Sequence, residues 1–216
     1  MSLNFFMFAG INGAGKSTLY STLNADNSYE VKNSKRTNAD EIAKENHWDW
    51  HDPANNLKAM KIEMENVHLF INEKQSFNME TTLASSKKTY LKLLDSAKEQ
   101  GFTTNLLYVG VSSPEIAKSR VKNRVAKGGH GLPDAIIDRR YPKSLKNLEL
   151  LAPFFDNMEI YDNTTSFKIV YSRNKYKAIT LDPSIDWAKP SIKADQDALQ
   201  TKLLEQQIKK FRGRER

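Results

Sequence analysis

Leu3-Asn4-Phe5-Phe6-Met7-Phe8-Ala9-Gly10-Ile11-Asn12-Gly13-Ala14-Gly15-Lys16-Ser17-Thr18 is the stretch on which the fold turns. Residues 3–9 are a largely apolar run closed by glycine, the pattern of a buried parallel strand. Gly10 to Ser17 matches G-x-x-x-x-G-K-[ST] at every fixed position, and residues 16–23 are helical in composition. Such a loop curls so that successive backbone N–H groups face one phosphate chain, and the following helix adds the positive end of its dipole. The motif assigns Gly10, Asn12, Gly13, Ala14, Gly15, Lys16, Ser17 and Thr18 to a nucleoside triphosphate. Lys16 is expected on the β- and γ-phosphates, and the Ser17 hydroxyl on Mg2+. The acceptor of the phosphate is left open.

Composition narrows the class. The chain has 216 residues, 39% hydrophobic and 27% charged, enough for one domain with a real core. It has no cysteine, which excludes disulfides, thiolate-bound zinc, iron–sulfur clusters and thiol catalysis. Its 4 histidines are poorly spaced for a metal cage. No run reaches the ~18 apolar residues of a membrane span. The apolar start lacks the basic segment of a signal peptide, so a cytoplasmic location is expected. The net charge is +7, of which residues 209–216 carry +4. The balance does not demand nucleic-acid binding, and it also suits a protein that binds phosphorylated small molecules.

Strands are expected over residues 3–9, near 36–38, and over 76–81, 104–111, 158–161, 167–171 and 178–181. Helices are expected over 16–23, 41–47, 54–74, 87–100, 113–126, 134–155 with a bend at Pro142, and 194–211. In the third of these helices Leu57, Met60, Met64, Val67 and Ile71 form an apolar stripe. Alternating strands and helices imply a parallel sheet covered on both faces, with ligands at the carboxyl ends of its strands.

Phosphoryl transfer also needs a group that orients the acceptor and cations that offset developing charge. Neither the Asp-Glu of motor ATPases nor a guanine-reading Asn-Lys-x-Asp stands out. Asp40, in Asn38-Ala39-Asp40-Glu41, stands near the end of the second strand. It reads as the catalytic base or as an acidic residue favouring a helix N-terminus, since Asn38 and Glu41 have capping-box spacing. Glu80, Thr81 and Thr82 end the next strand, where they suit a polyhydroxy acceptor; Glu80 alternatively organises Mg2+ through water. Arg120, Arg124, His130, Arg139 and Arg140 lie in or beside a glycine-rich loop at 127–133. A hinged loop with arginines at both ends is what a closing lid requires, and a solvated basic face is the plainer alternative. Trp48 and Trp50, near His47 and His51, read as core packing or as a substrate-stacking wall.

Together these blocks resemble the zeta toxin family of P-loop kinases. The resemblance is carried by residues 9–18, Asn38-Ala39-Asp40, Glu80-Thr81-Thr82, the run from Arg124 through Gly128-Gly129-His130-Gly131-Leu132-Pro133, and residues 139–148. It covers roughly residues 1–170 and is nearest to short, stand-alone members with a Gly-Gly-His lid. Family members of known activity use ATP and Mg2+ to phosphorylate the sugar 3′-hydroxyl of UDP-N-acetylglucosamine, and a small antitoxin protein restrains them. The resemblance implies Lys16 on the phosphates, Ser17 on the metal and Asp40 as base. It implies Glu80 and Thr82 at the sugar-nucleotide pocket, and Arg124 with Arg139 or Arg140 as lid arginines. Where the toxins carry a second lid arginine shortly before a proline, this chain has His130 before Pro133. Arg120 and Arg124 match the first lid arginine equally well, one helical turn apart.

The expected fold is α/β, a P-loop NTPase-type three-layer sandwich with a central, mainly parallel sheet and a helical lid. Residues 1–182 are expected to form the kinase domain and 183–216 a C-terminal helical extension. The expected activity is ATP-dependent transfer of the γ-phosphoryl group to a small-molecule hydroxyl. The catalytic set is Lys16, Asp40, Arg124 and Arg140, with Asp40, Glu80, Thr82, Arg120, His130 and Arg139 toward the acceptor. The rivals are a kinase of another small metabolite or nucleoside, and an ATP-dependent nucleic-acid-processing module that uses the basic tail.

Overall fold

The computed structural model describes residues 2–26 and 30–212, with the backbone alone at 211 and 212. Residues 213–216 of the basic tail lie outside the described residues. Seven strands form one sheet in the order β2-β3-β1-β4-β5-β6-β7. β1 (Asn4–Ala9), β2 (Lys35–Thr37), β3 (Phe77–Thr81), β4 (Thr103–Gly110) and β5 (Asn157–Asp162) are parallel. β6 (Lys168–Asn174) and β7 (Lys177–Thr180) extend the sheet antiparallel.

β1 sits mid-sheet because both of its faces are apolar. Phe5 and Met7 enter one core with α3 (Pro53–Asn72) and α4 (Lys87–Glu99). Phe6 and Phe8 enter the other with α1 (Lys16–Ala25) and α5 (Pro114–Ala126). α6 (Asp134–Leu151) belongs to both: Ile137 packs with α1 and α5, Leu148 and Leu151 with α4. The helix therefore crosses the carboxyl edge of the sheet. Its second half is tied down by Ser144 on the Tyr108 hydroxyl at 2.9 Å and by Asn147, which donates to the Leu83 and Ser85 carbonyls at 2.7 and 2.8 Å.

Three expectations are corrected. The stripe on α3 holds only in its second half, where Val67 and Ile71 are buried and Met64 is partly so. Leu57 and Met60 are 69% and 50% exposed, and Ala59 and Glu63 are buried in their place. The first turns of α3 pack on α2 (Ala39–Glu45) instead of the sheet, which rotates the buried line. α6 stops at Leu151, four residues early, and a 3-10 turn (Ala152–Phe154) follows because Pro153 has no N–H to continue the helix. Pro142, by contrast, sits inside the helix. α7 (Lys189–Arg212) begins five residues before residue 194, with Pro190 in its first turn, where no backbone donor is needed.

The start of α7 is built into the molecule. Ala188 and Ile192 join the larger core. Asp195, 1% exposed, accepts from Tyr171 at 2.7 Å and Arg173 at 2.6 Å. Arg173 also donates to the carbonyls of Ala152, Phe155 and Asp156. Asp195→Ala strands a buried guanidinium and is expected to lower stability by about 3 kcal/mol or more, seen as a lower urea midpoint. A wild-type midpoint would show the pair to be dispensable.

Candidate active site

The phosphate loop is held by its neighbours on both sides. Gly10 donates to the Thr81 carbonyl at 3.2 Å, tying the loop to the end of β3. A Cβ at Gly10 would lie 2.1 Å from the Val109 carbonyl oxygen, so no other residue fits between β1 and β4. Gly15, at φ 112°, turns the chain into α1. On the far side Asn163 donates to the Ala14 carbonyl at 2.7 Å, and Arg140 to the Asn12 side chain at 2.9 Å.

Lys16 folds back over this loop, its Nζ 3.3 Å from the Ile11 carbonyl. Burial lowers its ammonium below the usual lysine range; Glu80 and Asp40 oppose that shift, and Arg124 and Arg140 add to it. Four expected site residues from four separate elements thus act on one amine. The hydroxyl of Ser17 donates to Glu80 at 3.2 Å. The other Glu80 oxygen meets Arg36 at 2.6 Å.

Arg36 was not anticipated. It stands mid-strand in β2, bonds Glu80, Glu41 and Asn78, and lies 3.6 Å over the Tyr20 ring. Burial alone would lower its guanidinium, but the Glu41 and Glu80 carboxylates more than offset this and raise it. Glu41 is therefore turned toward Arg36. The Asn38 side chain caps α2 through the Asp40 N–H, at 2.8 Å, which differs from the capping-box pairing. The Asp40 carboxylate itself stays half-exposed at the mouth of the site.

The lid residues divide. Arg124, in the last turn of α5, has Nε and Nη2 buried without a hydrogen-bond partner among the described residues. Such donors fit an anion. Arg120, one turn earlier, donates through Nη2 to the Thr164 carbonyl at 3.2 Å, and its Nη1 is likewise buried without a hydrogen-bond partner among the described residues. Arg140 reaches the loop, and its guanidinium is lowered by burial and then by Arg139, which is exposed. His130 comes to 3.9 Å from Asp40. Thr82 follows β3 directly and is half-buried, while Thr81 bonds the Tyr90 hydroxyl at 2.9 Å. Trp48 lies under Lys58, and Trp50 stacks on His51.

Glu63 was also missed. Its place in the line Ala59-Glu63-Val67-Ile71, at four-residue steps, is a carboxylate on a buried stripe and was the available clue. Its Oε1 is buried without a partner among the described residues.

A mainly parallel sheet of this order, with a phosphate loop after an inner strand and an arginine-bearing lid, defines the P-loop kinase fold. The chain belongs to the zeta toxin family, whose model matches residues 4–175. An uncharacterized protein of Haemophilus influenzae is 33% identical over 138 residues, 62% of this chain and 89% of that one. Among solved structures, that of the PezAT chromosomal toxin–antitoxin system of Streptococcus pneumoniae is similar at TM-score 0.64 and 13% identity, covering 91% of this chain and 87% of that one. AvrRxo1-ORF1:-ORF2 with ATP is similar at TM-score 0.64 and 13% identity, covering 88% of this chain and 64% of that one. At these identities the two structural likenesses show the fold.

The Glu63 carboxyl is pushed up to about 8, chiefly by burial, with the Ala39 amide opposing and the Asp40 and Glu80 charges adding. The folded chain then holds a proton that the unfolded chain releases at the ordinary carboxylate range, so stability falls as pH rises through that window. Glu63→Gln is expected to melt above the wild type by a margin that grows from about pH 5 to about pH 8. A constant margin in thermal melts would show that Glu63 titrates as it does when unfolded.

Proposed function

We propose that the chain transfers the γ-phosphoryl group of ATP to a hydroxyl of a small molecule, with UDP-N-acetylglucosamine the first acceptor to test. One arrangement carries the reading: Glu80 meets Ser17 and Arg140 meets Asn12 at the phosphate loop, over which Lys16 folds with the charges of Asp40 and Arg124 nearby. A base, an acceptor-side carboxylate and two lid cations therefore surround the place where a γ-phosphate would lie. The family match and the ATP named with AvrRxo1-ORF1:-ORF2 support ATP as donor. Family resemblance alone points to the UDP-sugar.

Lys16 and the amides of Gly13 to Ser17 hold the triphosphate. Asp40 orients the acceptor hydroxyl and takes its proton. Arg124, whose buried donors lack partners, and Arg140 offset charge on the transferring group. Glu80, with Thr82 beside it, faces the acceptor. The Ser17 hydroxyl and a Glu80 oxygen meet at 3.2 Å, and both are the hard oxygen donors that magnesium takes. Ser17 would bind that ion directly and Glu80 through water. Bound magnesium supplies charge neutralisation on the β- and γ-phosphates.

We take residues 1–182 as the kinase domain, 183–216 as its helical extension and the cytoplasm as its compartment. A small antitoxin protein is the proposed partner, in line with the toxin–antitoxin system named among the structural neighbours.

Labelled ATP with a panel of UDP-sugars, nucleosides and sugars tests the reading. Transfer to one panel member is expected. Asp40→Asn is expected to reduce transfer about 10²–10⁴-fold while calorimetry still detects ATP binding. Near wild-type transfer by that variant would remove Asp40 as the base.

A further inference from the structure

The loop between α5 and α6 ends on Asp40. Gly131 is buried there: a Cβ would lie 2.9 Å from the Trp50 ring and 2.5 Å from Val125. That packing carries His130 to the base, with Nε2 3.9 Å from Oδ1 of Asp40. The His130 ring lies 5.1 Å from that of Trp50, which stacks on His51 at 3.6 Å. The charged and titratable groups facing His130 are Asp40 on α2, Arg124 on α5 and His51 between α2 and α3. Burial lowers the imidazole, Asp40 opposes that shift, and Arg124 and His51 add to it, which favours the neutral ring. A neutral imidazole nitrogen accepts a proton, and Nε2 of His130 stands 3.9 Å from the Asp40 carboxylate. Contacts between catalytic groups are often longer in a free enzyme than in its reacting complex.

We propose that His130 is a positioning residue that holds Asp40 toward the acceptor and receives the proton Asp40 collects. This rests on the kinase reading above. In the balanced step, the acceptor oxygen bonds to the γ-phosphorus. The bond from that phosphorus to the β–γ bridging oxygen breaks, and ADP leaves with the electron pair. The hydroxyl proton moves to Asp40, then to Nε2 of His130, then to solvent.

The test compares kcat against pH for the wild type, His130→Gln and His51→Gln, using magnesium-ATP with UDP-N-acetylglucosamine or, if that is inert, the panel member phosphorylated. The wild type is expected to lose activity on the acid side, with a midpoint below about 6.5. His130→Gln is expected to lose that limb and about tenfold in kcat, whereas His51→Gln keeps the limb. Added imidazole is expected to restore turnover to His130→Ala. An active His130→Gln with the wild-type profile overturns the relay, as does failure of imidazole rescue. NMR titration of the His130 ring gives a reading independent of turnover. Asp40→Asn is expected to move its midpoint downward, and an unmoved midpoint overturns the pairing. If the wild type phosphorylates nothing, the kinase reading falls and the relay with it, and the titration still decides whether His130 and Asp40 are coupled.

Discussion

A buried ammonium needs compensation, and Lys16 obtains it from residues scattered over the chain. Two carboxylates hold its charge, while two guanidinium groups and burial oppose it. The arrangement is electrostatically tense because cations outnumber what the carboxylates can satisfy. Arg124 keeps two donor nitrogens buried and unpartnered. A bound anion relieves that tension, since a phosphate chain offers acceptors to the amine and the guanidinium groups alike. The fit of this site to an anion is thus a property of the fold as a whole.

The scaffold achieves this by register and by one unusual helix. Parallel pairing sets Phe8 opposite Glu80 and Ala9 opposite Thr81, so the loop leaving β1 emerges beside the carboxylate ending β3. Arg36 holds one Glu80 oxygen and leaves the other to Ser17. α6 joins both cores, so its middle crosses the sheet's edge and delivers Arg140 to Asn12.

The loop at 127–133 is linked to Asp40 through charge and to Trp50 through packing. Gly131 admits Trp50 against the loop, and that contact sets the distance from His130 to Asp40. Trp50 thus packs against the loop that bears His130, between the core and stacking-wall roles that its sequence context allowed. Arg120 and Arg124 share a helix face, yet one meets the Thr164 carbonyl and the other senses Lys16.

The phosphate loop, the order of most elements and the acids at the strand ends were legible in the residues themselves. Backbone curl at glycines and strand or helix preference are short-range effects, written in adjacent positions. Arg36, Glu63, the boundaries of α6 and α7, and the choice among the arginines were not legible. Each depends on what stands across space: Glu63 is a buried acid because the first turns of α3 lie on α2, and Arg36 is a tether because β2 pairs with β3. Burial and through-space charge set a side chain's chemistry, and only the tertiary structure determines them.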